Sequence, residues 1–215
     1  MTLREKISKL TDRFGQLIPS PQTELEFNTP YQLLVATVMA AQATDRQVNV
    51  ITRTLFRVAP DPTSMVSLGE EGIFHYIRSI NYNRTKAGHI YSLSVQLIDE
   101  FGGEVPASME DLQRLPGVGR KTASVVLICA FNIPAFPVDT HVFRVSNRLG
   151  IAKASNVSKT EEQLRKRLPE SDWYRFHHYL ILHGRYTCKA KNPSCETCQV
   201  RDLCSEYSGR TRPDR

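Results

Sequence analysis

No stretch of this 215-residue chain approaches the roughly 20 consecutive apolar residues of a membrane span. The opening residues, MTLREKISKLTDRFGQL, are too interrupted by charge for a secretory signal. A soluble, intracellular protein without a membrane partner is therefore expected. In such a reducing compartment structural disulfides are disfavoured. Nor does any region alternate between apolar and polar residues with period two for long enough to suggest a sheet. Internal repeats, low-complexity tracts and clear linkers are also missing, which removes repeat arrays and disordered scaffolds from consideration.

What remains is helical. Leu3, Ile7, Leu10, Phe14 and Leu17 fall on one helical face. Thr29-Pro30 and Asp61-Pro62 are helix starts, each a capping side chain followed by proline in the first turn. Ile90, Leu93, Leu97 and Ile98 form a further stripe that ends at Gly102-Gly103. Ser158 and Glu161 read as a capping box ahead of Leu164 and Leu168. The apolar run Val125–Phe131 continues a helical register and predicts a buried helix. The fold class is all-α. The formal charge of +6, from 28 Lys+Arg against 22 Asp+Glu, mildly favours a polyanionic partner such as nucleic acid.

Cysteine is scarce but not scattered. Of five cysteines, Cys129 lies in the apolar run and reads as a core thiol, while Cys188, Cys195, Cys198 and Cys204 share one short stretch, CKAKNPSCETCQVRDLC. Four thiols so close together in an intracellular protein are a metal-site signal. Zinc and an iron–sulfur cluster both fit four thiolates, and the spacing does not choose between them. Lys189, Lys191 and Arg201 make the same loop basic, a plausible phosphate contact.

The stretch RLPGVGRKTASVV has a different character. Ser108 caps a short helix, Pro116-Gly117-Val118-Gly119 turns the chain, and a second helix starts at Arg120. This helix–hairpin–helix offers glycines for close approach and unpaired N–H groups at a helix start, where phosphate binds readily. Gly117, Val118, Gly119 and Arg120 are thus candidate phosphate contacts, as of a nucleic-acid backbone. Lys121 lies in the first turn, where the helix dipole and Arg120 both disfavour a second positive charge. A neutral amine is what a Schiff-base nucleophile requires. Downstream, FPVDTHVFRVSNRLG places Asp139 at the start of a helix that Gly150 closes. Asp139 can cap that helix and still present a carboxylate to a cationic transition state or move protons for Lys121. His141 reads as a packed residue.

Taken together, AQATD (41–45), LPGVGRKTA (115–123), VDTHVFRV (138–145), HGRYTC (183–188) and the cysteine spacing resemble, in order and over nearly the whole chain, the endonuclease III family of DNA glycosylase/AP lyases. The resemblance implies two helical domains: a contiguous barrel over 23–132 with the hairpin, and a discontinuous domain of 1–22 plus 133–215 carrying a [4Fe-4S] cluster, with the active site in the cleft between them. It resolves the metal in favour of iron. It further implies a monomeric, cytoplasmic, nucleoid-associated enzyme that removes oxidised pyrimidines from duplex DNA, with Lys121 as nucleophile and Asp139 as its electrostatic partner. Gln42 matches the residue that fills the space of an extruded base. The stretch SINYNRTKA departs from the family pattern, in which glycine and then leucine follow the isoleucine; here Asn81 and Tyr82 stand in their place. Tyr82, on an exposed turn, is expected to be the wedge, since aromatic stacking tolerates every base. The alternatives are a mismatch glycosylase for adenine or thymine, against which Lys121 argues, and a non-catalytic DNA-binding protein with a structural metal.

Overall fold

The structure is a computed structural model and describes residues 1–210. Every long element among them is an α-helix: α1 (Leu3–Leu17), α2 (Pro30–Met39), α3 (Asp45–Val58), α4 (Pro62–Ile77), α5 (Asn83–Phe101), α6 (Met109–Arg114), α7 (Arg120–Ala130), α8 (Thr140–Leu149), α9 (Val157–Arg167), α10 (Trp173–Tyr186) and α11 (Ser205–Arg210). The chain divides into two compact units, one of Thr23–Ile133 and one of Met1–Gln22 with the chain from Pro134 onward.

The 23–133 unit is built around α2. Thr29 accepts from the Gln32 N–H and Pro30 opens the first turn, so the start is fixed locally. From Tyr31 to Met39 every residue of α2 is buried, and the helix packs against α3, α5 and α7. An all-round apolar helix of this kind belongs in a core. Each fully buried Leu or Val there contributes about 1.5–3 kcal/mol. Helices α4 and α5 pack side by side. Helix α4 is interrupted at Gly69, whose φ of 75° leaves the helical region. Helix α5 ends where Gly102 and Gly103 take φ of 62° and 84°, conformations that cost glycine little. The predicted buried helix is α7, with Val125 to Ile128 in the core.

In the other unit α8 packs against α9, α10 and α11. Helix α1 places Ile7, Leu10 and Phe14 inside, and the Phe14 ring stacks on Tyr179 of α10 with centroids 5.6 Å apart. Leu3 and Leu17, expected on the same face, are 38% and 45% exposed, because the ends of the stripe overrun the core. Ile98, expected in the α5 stripe of the first unit, likewise reaches 36% exposure. The expected Ser158–Glu161 capping box is absent. Asn156 caps α9 instead, its side chain accepting from the Lys159 N–H at 2.9 Å. Asparagine two residues earlier caps as well as serine and leaves Val157 to open the helix.

Candidate functional site: hairpin, capping aspartate and cysteine loop

The hairpin joins α6 to α7. Ser108 accepts from the Asp111 N–H at 3.0 Å and starts α6. The turn then closes when the Val118 N–H donates to the Leu115 carbonyl at 3.1 Å. Val118 is buried, so its side chain anchors the turn and its N–H is already used. Gly117 has φ of 77°, and a Cβ there would come within 2.8 Å of the His89 ring. Both facts require glycine. Gly119 is the α7 N-cap and provides no side-chain cap. The helix therefore starts with N–H groups that no capping oxygen satisfies. Gly119, Arg120 and Lys121 are all exposed there. Behind them on α7 the Cys129 thiol, expected in the core, is only half-buried; burial nonetheless pushes it up to about 12, with the Lys121 charge opposing.

Two other turns of this unit carry predicted residues. Gln42 lies just past the end of α2 with φ of 58°, and Tyr82 is the N-cap of α5 with φ of 57°. Gln42 is exposed and Tyr82 is 63% exposed. Arg84, two residues on, lies over the Phe74 ring and pairs with Glu71.

Asp139 belongs to the other unit. Its Oδ1 accepts from the His141 and Val142 N–H groups, each at 2.8 Å. Both cap bonds use one oxygen, so capping leaves Oδ2 uncommitted to the helix. Sequence reasoning missed the residue that orients the approach to Asp139. The His177 Nδ1, on buried α10, donates to the Pro137 carbonyl at 2.8 Å. Only tertiary packing brings those 40 residues of separation together. His141 bonds the Arg144 guanidinium at 3.1 Å and packs against Gly184, the packed role expected of it.

The four remaining cysteines line one small cavity with His183 and Arg201. Among the described residues no three His, Cys, Asp or Glu side chains gather closely enough to hold one ion. Thiols spread around a shared cavity suit a polynuclear cluster, one thiol per corner, better than a single tetrahedral ion. Burial pushes the Cys198 and Cys204 thiols up, so binding a cationic centre must displace their protons. The surroundings support the loop. Burial holds His183 neutral, at about 4, with its Nε2 3.7 Å from the Cys198 Sγ. Arg148 Nη1 lies 3.5 Å from the Cys188 Sγ and donates to the Lys189 carbonyl at 2.7 Å. Burial opposes the Arg148 charge, but Cys188 and Glu206 outweigh it and raise its pKa. Lys189 and Lys191 are exposed on this loop.

Residues 35–170, more than half of the chain, match the HhH-GPD superfamily base excision DNA repair protein family. Residues 188–204 match the iron-sulfur binding domain of endonuclease III. Endonuclease III of Haemophilus influenzae is 46% identical over 207 residues, covering 96% of this chain and 97% of the relative. That of Escherichia coli K12 is 46% identical over 204 residues, covering 95% and 96%. A solved trapped endonuclease III–DNA covalent intermediate superposes with a TM-score of 0.92 at 41% identity, covering 99% of this chain and all of that one. A thermostable thymine-DNA glycosylase, 23% identical with a TM-score of 0.85, shares the fold. The cofactor is thus a [4Fe-4S] cluster, and the chain belongs to the endonuclease III family of base excision DNA glycosylase/AP lyases.

Proposed function

We propose that this chain removes oxidised pyrimidines from duplex DNA, with Lys121 as the covalent nucleophile and Asp139 as its electrostatic partner. The observation that carries this reading is Lys121 itself: an exposed amine in the first turn of a helix that has no capping side chain. The N–H groups beside it suit a phosphate, and Arg120 adds a charge. Lys189 and Lys191 on the cysteine loop supply further backbone contacts.

In this mechanism the flipped nucleotide meets the Lys121 Nζ. Nζ attacks C1′, the C1′–N bond breaks, and the base leaves with its electron pair and takes up a proton. The sugar ring opens to a Schiff base between Nζ and C1′. That iminium acidifies the 2′ hydrogen. Its loss to a base expels the 3′ phosphate by β-elimination, and water then releases the lysine. The Asp139 carboxylate stabilises the cationic sugar and helps move protons, as a positioned charge does in a water-poor site. Cys188, Cys195, Cys198 and Cys204 would hold the cluster, which supplies a rigid metal anchor for the basic loop and takes no part in bond cleavage. The same reading has the chain acting as a monomer in the nucleoid. Borohydride trapping on a duplex with a single oxidised pyrimidine tests it. A covalent adduct is expected with the native protein, and its absence overturns the reading.

A further inference from the structure

Four non-glycine residues among those described have positive φ. Two are asparagines, Asn132 and Asn192, which tolerate the left-handed region. The other two, Gln42 and Tyr82, have no such tolerance. Residues in that region persist where the surroundings over-determine them, and they cluster at functional sites. The surroundings here are specific. The Asn81 Nδ2 donates to the Gln42 carbonyl at 3.1 Å. The Gln47 Nε2 donates to the Ser79 carbonyl at 2.8 Å. The first bond ties one turn to the other and the second ties the first turn of α3, just past Gln42, to the Tyr82 turn, each across more than 30 residues of sequence.

Lys86 lies at the centre of this arrangement. Its side chain is 5% exposed, which is rare for lysine. Its backbone N–H donates to the Tyr82 carbonyl at 2.9 Å and closes the first turn of α5. Its Nζ donates to the Met39 carbonyl at 2.8 Å and to the Ala41 carbonyl at 2.6 Å. One residue therefore holds the Tyr82 turn by its main chain and the Gln42 turn by its side chain. The carbonyls at the end of α2 are a suitable partner for an ammonium, because they lack intrahelical donors and carry the negative end of the dipole. Burial lowers the Lys86 pKa, so the two carbonyls must carry the cation.

We propose that Lys86 is a positioning residue for base extrusion, locking the Gln42 and Tyr82 turns into one preset device. This rests on the reading that both side chains enter the duplex during base extrusion. A preset pair needs no ordering of either turn when the duplex opens, so the cost of unstacking is not increased by loop entropy. A lysine that merely stabilised α2 would affect every substrate alike; one that presets the wedge matters only where a duplex must be opened.

Two variants of the iron-loaded, full-length protein test this: Lys86→Met, which keeps the apolar stem, and Asn81→Ser, an exposed change that removes one cross-tie. Each is assayed at single turnover on one lesion in duplex and in single-stranded DNA, with 2-aminopurine beside the lesion to report opening. Lys86→Met is expected to lose about tenfold or more on duplex and less than about twofold on single strand. Asn81→Ser is expected to lose about threefold on duplex alone. The 2-aminopurine signal should fall in parallel. Equal losses on both substrates, or full duplex activity in both variants, overturn the proposal. Should Lys86→Met fail to fold, Asn81→Ser decides by the same criterion. Failure of the lyase reading looks different: the parent protein then gives no borohydride adduct on either substrate, and the positioning role falls with it.

Discussion

Helix α7 begins at Gly119, which offers no side chain, whereas α8 begins at Asp139, whose Oδ1 accepts two N–H groups at 2.8 Å. Both helix starts carry the same partial positive charge. At α8 the protein neutralises it with its own carboxylate. At α7 no side chain caps the N–H groups, and Arg120 and Lys121 lie exposed beside them. One start is capped by its own side chain; on the proposed function, the other is completed by a bound phosphate. The difference separates a residue that can act on charge from a surface that recruits it.

The comparison breaks most visibly at the two catalytic candidates. Lys121→Ala should abolish the borohydride adduct while leaving α7 folded, since alanine is the best helix former; an adduct forming at the parental rate would remove Lys121 from the chemistry. Asp139→Asn keeps a capping oxygen but loses the charge. Stability should change by less than about 1 kcal/mol, because asparagine caps about as well as aspartate. Turnover should fall by roughly a hundredfold or more, the scale of losing one electrostatic stabiliser. If turnover is unchanged in Asp139→Asn, the cap is the whole role of Asp139.

Much of this was legible because the devices involved are local. A glycine turn, a capping residue and a cluster of cysteines each occupy a few adjacent positions. The Thr29, Asp61, Ser108 and Asp139 starts all appear where the sequence places them. Ambiguity entered where neighbouring residues could do the same job, as when Asn156 rather than Ser158 capped α9. The long-range supports left no trace in the sequence. Lys6 donates to the Leu149 carbonyl and to Ser205, 143 and 199 residues away. Arg13 holds the Gln199 carbonyl and pairs with Asp202. Lysines and arginines at such positions read as solvated charge. Only the fold shows that they tie the N-terminal helix to the cysteine loop. The burial of Lys86 is hidden for the same reason, and the break at Gly69 looks like any glycine in a helical stretch.

The two units also differ in what holds their functional loops, and iron tests that difference. The hairpin rests on Val118 and glycine geometry, whereas the 188–204 loop rests on arginine ties and its cluster. Purified protein should be yellow-brown with about four irons per chain. Oxidative removal of the iron should expose the 188–204 loop to proteolysis, because structural metal binding is coupled to folding. The hairpin should remain protected from cleavage. A colourless protein with stoichiometric zinc, or a loop equally resistant without iron, would contradict the assignment.

The smallest expected effect is the sharpest test, because it converts one helix start into the other. Gly119 has φ of −86° and ψ of 174°, extended backbone that any residue adopts. A Cβ there meets nothing within 4 Å. Gly119→Asp therefore gives α7 the kind of cap that α8 already has, without strain or collision. Folding should be unchanged or more stable by a few tenths of a kcal/mol, the usual difference between these two caps. DNA binding should weaken, because the new carboxylate occupies the N–H groups and repels phosphate. Losing one phosphate contact should reduce the slope of log K against log salt by about one. Gly119→Ala serves as the control, since it adds the Cβ without the charge and should keep the parental slope. A Gly119→Asp protein that binds duplex with unchanged affinity and unchanged salt dependence would show that the uncapped start of α7 is a tight turn and nothing more.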